Sequence, residues 1–156
     1  MGTTCLTMVL MDGGSGLNIL HASTLDWMGI PRTSPCPSKA PFYGIVLGKE
    51  VMPLRRIRLN VTFGQPDNLW KEPFTIEVVD FPDIYHSLLG QPCFAKFMAI
   101  PNYTYLKLKM PDPNGVITVE GSFEQAYYCE QDYVTQADTL FAPYGPAGSS
   151  RDTRRA

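Results

Sequence analysis

Cys5-Leu6-Thr7-Met8-Val9-Leu10-Met11-Asp12-Gly13-Gly14-Ser15-Gly16-Leu17-Asn18-Ile19-Leu20 is the stretch on which the reading of the fold turns. The apolar run from Cys5 to Met11 has the pattern of a buried strand, and Asp12-Gly13-Gly14 ends it in a tight turn. Asn18 to Leu20 resumes a short strand. Taken alone, an Asp-Gly-Gly-Ser turn is ordinary: the Asp side chain bonds its own following backbone and glycine bends without steric cost. The glycines also invite a phosphate-loop reading, but no Lys-Ser/Thr follows Gly16, so the chemistry of that loop is missing.

Working outward, Ser23-Thr24-Leu25-Asp26 suggests about one turn of helix with Ser23 as N-cap and Gly29 as its stop. Pro31 to Pro41 holds four prolines and reads as a loop. Phe42 to Met52 suits a hairpin with its tip near Leu47-Gly48-Lys49. Ile57, Leu59, Val61 and Phe63 alternate with Arg58, Asn60 and Thr62, which gives the clearest half-buried strand. Gly64 to Asn68 turns the chain into a further strand over Phe74 to Val79. His86 to Gly90 is another apolar approach ending in glycine. Pro92 to Ala99 reads as a helix of two turns, with Pro92 at its first position and Pro101 beyond its end. Leu106, Leu108 and Met110 alternate, and Pro113-Asn114-Gly115 turns them into Val116 to Val119, a second hairpin. Residues 126–156 are expected to be linker and a disordered tail, the last stretch being rich in Gly, Ser and Arg.

The bulk properties narrow the function classes. At 156 residues and 44% hydrophobic the chain can bury one real core. Its 14 prolines and 13 glycines favour short strands over long helices. A net charge of −2 argues against phosphate-backbone binding, so no direct nucleic-acid partner is expected. The 4 cysteines form no CxxC pair and neither histidine stands at a ligand spacing, so neither metal nor cofactor is expected. His86 reads as a surface or cap residue and Tyr127-Tyr128 as packing. Asn60-Val61-Thr62 and Asn102-Tyr103-Thr104 fit the glycosylation pattern, but the first residues lack the basic region of a signal peptide. No apolar run is long enough to span a bilayer. A cytoplasmic protein without membrane contact is the expectation.

The order of features carries more than any one of them: apolar strand, Asp12-Gly13-Gly14-Ser15, Asn18-Ile19-Leu20, a glycine-containing hairpin, then Leu88-Leu89-Gly90 and a short helix. From about Leu6 to Phe123 this resembles the retropepsin-like aspartic proteases, particularly those of plant long-terminal-repeat, gypsy-type retrotransposon gag-pol polyproteins. Pro41-Phe42-Tyr43-Gly44-Ile45-Val46, Phe97-Met98-Ala99-Ile100-Pro101-Asn102-Tyr103 and Gly115-Val116-Ile117-Thr118-Val119 belong to the likeness. It implies an all-β, retropepsin-like acid protease barrel with one short helix over residues 1–125.

The resemblance also implies roles. Asp12 would be the catalytic aspartate and Gly13, Gly14 and Ser15 the rest of its loop. Gly44, Ile45, Val46, Leu47 and Gly48 would form the flap over substrate, and Leu88, Leu89 and Gly90 the segment bracing the loop. The chemistry needs two carboxylates sharing one proton, because like charges about 3 Å apart cannot both ionise. One Asp-x-Gly-Ser in 156 residues leaves the second aspartate to an identical chain, so a homodimer acting on a peptide or polyprotein is implied. The chain departs from the family pattern in three places. Gly13 stands where a hydroxyl residue usually bonds across the dimer. Gln91 and Gly16 replace an Arg and an acidic residue, and their joint loss avoids burying one charge alone. Only 11 residues precede Asp12, so the N-terminal strand that relatives contribute to the dimer sheet is expected to be cut off. An inactive dimerisation or peptide-binding module is therefore the alternative to an active endopeptidase.

Overall fold

The computed structural model describes residues 4–33, 41–46, 49–81 and 85–141. Contacts divide the chain into two units, Met1–Ser122 and Phe123–Ala156. The first is mostly β. In chain order it contains β1 (Val9–Met11), β2 (Ile19–His21), α1 (Ala22–Trp27), β3 (Phe42–Val46), β4 (Lys49–Val51), β5 (Arg55–Gln65) and β6 (Asn68–Val79). These are followed by β7 (Ser87–Leu89), α2 (Gln91–Lys96), β8 (Ile100–Asn102), β9 (Lys107–Asp112) and β10 (Gly115–Glu120). Among the described residues no helix is long and apolar enough to cross a membrane.

The strands form a five-stranded sheet in the order β1-β7-β2-β6-β5, a three-stranded sheet β10-β9-β8 and the β3-β4 hairpin. The expected all-β character thus holds in the main, and among the described residues the sheets do not close into a barrel. The long β5-β6 hairpin is the frame of the largest sheet, paired without interruption from Arg55↔Val78 to Gln65↔Asn68. The alternation read from Ile57 to Phe63 holds: those side chains are half-buried while Arg58, Asn60 and Thr62 face water. Both strands outrun their sequence limits. Gly64, expected in the turn, stays in the ladder at φ +109, where a Cβ would lie 1.8 Å from the Asn68 carbonyl oxygen, so only glycine fits. Pro73 also sits within β6, opposite Asn60.

The core gathers Leu20, Leu25, Phe74, Ile76, Val78, Leu89, Cys93, Phe97, Leu108, Met110 and Ile117 from both larger sheets and both short helices. Phe97, fully buried, meets Phe63 and Trp70 edge-on at 5.0 and 5.3 Å and stacks on Phe74 at 5.5 Å. Such aromatic pairs add about 0.5–1.5 kcal/mol each beyond the area they bury. Burial also pushes the Cys93 thiol up to about 12.

Several element limits differ from the sequence reading. α1 starts at Ala22 with His21, not Ser23, at the cap and no side-chain cap bond, while Gly29 at φ +71 ends it as expected. α2 is shorter than two full turns, with Pro92 in its first turn, and gives way to Met98 at φ 47. Pro101 lies inside β8 rather than merely past a helix. The first part of the stretch read as linker and tail over residues 126–156 lies in a helix, α3 (Phe123–Phe141), of 19 residues. Among the described residues there are thus three helices, where the resemblance implied one. Tyr127 and Tyr128, expected to pack, are both exposed and meet only edge to edge at 6.2 Å in ring contact. Residues 34–40 of the four-proline loop read from Pro31 to Pro41, and the tail beyond Phe141, lie outside the described residues.

Candidate active site

Strand order fixes the loop that holds Asp12. β1 runs parallel to β7, pairing Met11 with Leu89, whereas β2 runs antiparallel to it, pairing Ile19 with Leu88. Because β7 lies between two strands that follow each other in sequence, the residues joining β1 to β2 must pass over the end of β7. That end is Gly90. A Cβ there would lie 2.3 Å from the Leu17 carbonyl oxygen and 2.4 Å from that of Ser15, so the loop occupies the space a side chain would take.

Three hydrogen bonds strap the loop down. The Asp12 N–H donates to the Leu89 carbonyl at 2.9 Å, and the Gln91 N–H donates to the Ser15 carbonyl at 2.7 Å. The Gly90 N–H donates to Oδ1 of Asn18, a buried side chain, at 3.0 Å. Leu89 and Gly90, of the segment read as the brace, thus each bond to the residues that join β1 to β2. Asn18 is a member of this assembly that the sequence reading passed over as a mere strand start. Its signal was a polar residue immediately before Ile19-Leu20, where burial demands a partner. Ser87 is a second such residue, buried, with its hydroxyl donating to the Ile19 carbonyl at 2.6 Å.

Within the loop, Asp12 is half-buried and its Oδ1 accepts the Gly14 N–H at 2.9 Å, which orients the carboxylate. The Ser15 hydroxyl accepts the Leu17 N–H at 3.3 Å and donates to the Leu17 carbonyl at 3.2 Å, so it shapes the loop and is not poised as a nucleophile. Gly13 lies beside Tyr103, whose Oη would be 3.0 Å from a Cβ at that position. His86 is a strut: its Nδ1 accepts the Met8 N–H at 3.3 Å and its carbonyl accepts from the Thr24 hydroxyl at 3.0 Å.

Of the presumed flap, Gly44, Ile45 and Val46 lie in β3, and the register with β4 shifts between Tyr43 and Val46. Leu47 and Gly48 lie outside the described residues. Val51, at the base of this hairpin, is buried with Ile19 and Val79, and Leu17 and Leu88 pack on the same cluster. The fold thus ties the hairpin base, the Asp12 loop and the bracing strand to one small apolar centre. Among the described residues no group of three or more His, Cys, Asp or Glu side chains could hold a metal ion.

The sequence matches no family model and no curated protein. Among solved structures, the chain is similar to the retroviral protease-like domain of Ddi1 from Leishmania major, at 14% sequence identity and a TM-score of 0.44, over 76% of this chain and 96% of that one.

Proposed function

We propose that the Met1–Ser122 unit is one half of a retropepsin-like aspartic endopeptidase, active as a homodimer, that cleaves a retrotransposon polyprotein. The observation that carries this reading is the loop of Asp12 strapped across Gly90, with its carboxylate held by the Gly14 N–H. A catalytic carboxylate must be held to a fraction of an ångström, and this loop is fixed by backbone bonds from Asp12 to Leu89 of β7 and from Gln91 of α2 to Ser15.

In the proposed dimer the two Asp12 carboxylates share one proton. The unprotonated one takes a proton from water, whose oxygen attacks the scissile carbonyl, while the other protonates the carbonyl oxygen. The resulting gem-diol collapses with cleavage of the C–N bond, and the amine leaves with a proton from the same pair. The pair titrates as a unit and regenerates itself.

A specific observation favours the second reading, an inactive dimerisation or peptide-binding module: Gly13 offers no hydroxyl, and a Cβ there would lie 3.0 Å from Tyr103 Oη. Turnover of a peptide at increasing dilution distinguishes the two. Activity per chain should fall as dimer dissociates, whereas constant activity in a protein shown to be monomeric excludes a shared site.

A further inference from the structure

Next to the far end of the Asp12 loop, an open groove of about 500 Å³ runs between that loop, the outward face of β5-β6 and the start of α2. Gly16 and Leu17 form one wall, Arg56, Arg58 and Thr75 the floor, and Lys96 closes it. The ladder explains the floor, since Arg56 lies opposite Glu77 and Arg58 opposite Thr75.

The three cations are not equivalent. Arg56 is already engaged, its Nε donating to Glu77 Oε1 at 2.8 Å. The Glu77 side chain is only 8% exposed, so it neutralises Arg56 from below and offers little surface to a cationic visitor. Lys96 is engaged too: its Nζ donates to the Pro73 carbonyl at 2.7 Å, lies 3.5 Å from Glu72 Oε2 and sits over the Phe74 ring. Arg58 is exposed and makes no side-chain hydrogen bond or ion pair among the described residues. Its planar fork is the uncompensated charge of the groove, and a carboxylate is the group that fits it on two points.

We propose that this groove is a specificity subsite in which Arg58 receives an acidic side chain of the bound peptide. This rests on the endopeptidase reading, which places the scissile bond at Asp12. Gly16 follows Asp12 by four residues, so the loop spans at most about 14 Å, and an extended peptide covers that distance in about four residues. A peptide suits the groove better than nucleic acid, because a single free cation beside Leu17, Pro73 and Pro92 is not the continuous basic track that a phosphate backbone needs.

The test is fluorescence anisotropy on the full chain in the Asp12→Asn background, which removes turnover, with a short blocked peptide carrying one glutamate and its glutamine twin. The glutamate peptide should bind about fivefold tighter, the ratio of a favourable half-exposed ion pair, and high salt should erase the difference. Adding Arg58→Gln should bring the ratio to one without lowering the melting temperature, since the side chain is exposed. A ratio of one in the parent, or a ratio that survives Arg58→Gln, overturns the proposal. So does a single-stranded RNA oligonucleotide that binds tighter than the glutamate peptide in an Arg58-dependent way. Cleavage of both peptides by wild type is measured alongside: no cleavage with the ratio intact removes the endopeptidase reading and leaves the groove, and cleavage with a ratio of one does the reverse.

Discussion

Replacing Gly90 with alanine puts a methyl group into space that the Asp12 loop already fills. The new Cβ would lie 2.3 Å from the Leu17 carbonyl oxygen and 2.4 Å from that of Ser15, both backbone atoms that cannot rotate aside. Gly90 itself has φ −103, which any residue adopts, so the penalty is steric and not conformational. Overpacking of this kind costs about 1–3 kcal/mol. Lifting the loop also gives up the Gln91 N–H to Ser15 bond and the Gly90 N–H to Asn18 bond, at about 0.5–1.5 kcal/mol each. The sum is about 2–6 kcal/mol, a large share of the roughly 5–15 kcal/mol that holds an ordinary domain together. Urea unfolding should show a lower midpoint with an unchanged slope. Turnover per folded molecule should fall further still, because Asp12 moves with the loop. A loss of stability below about 0.5 kcal/mol would refute the seating of the loop on Gly90.

Gly13→Thr restores the hydroxyl that the family pattern places near the dimer axis, and Gly13 lies outside the left-handed region, so the backbone accepts threonine. Two symmetric bonds would stabilise the dimer by about 1–3 kcal/mol, or about five- to 150-fold in Kd, once Tyr103 Oη has moved from its position 3.0 Å from the new Cβ. Sedimentation of Gly13→Thr with and without Tyr103→Phe checks this; unchanged or weaker association in the double variant contradicts a retropepsin-type dimer. Burial of Cys93 raises its folded-state pKa from 9.0 to about 12, so the folded state keeps a proton that the unfolded state releases. Stability from this group is fully present below pH 9 and declines as pH rises toward about 12, and Cys93→Ala should flatten that part of the stability profile measured by chemical denaturation.

What the sequence made legible follows period and order. The β5 alternation was readable because one face of the strand packs on the core and the other meets water, so the period survives in composition. The expectation of a brace at Leu88-Leu89-Gly90 came only through resemblance, since an apolar pair before glycine has many other uses. Asn18 was missed because a buried amide acts through a partner 72 residues away, and no local pattern encodes that distance. α3 was missed although Phe123, Tyr127, Val134, Ala137 and Phe141 recur at helical spacing, because the weight was put on the Gly-, Ser- and Arg-rich tail that follows. Pro101 misled an element limit, as proline is usually a breaker, yet here it stands in a strand. The flap tip at Gly48 falls outside the described residues, so Gly48→Val, which should impair turnover more than melting temperature if the tip closes over substrate, rests on the sequence alone.

The central claim is that Asp12 is half of a catalytic pair. Cleavage of a peptide followed across acidic to neutral pH, for wild type and Asp12→Asn, with and without a transition-state inhibitor of aspartic proteases, tests it most directly. The account predicts turnover by wild type that the inhibitor blocks, and none by Asp12→Asn at an unchanged melting temperature, because the shared-proton pair is gone. Full cleavage by Asp12→Asn, or wild-type cleavage indifferent to the inhibitor, would contradict it.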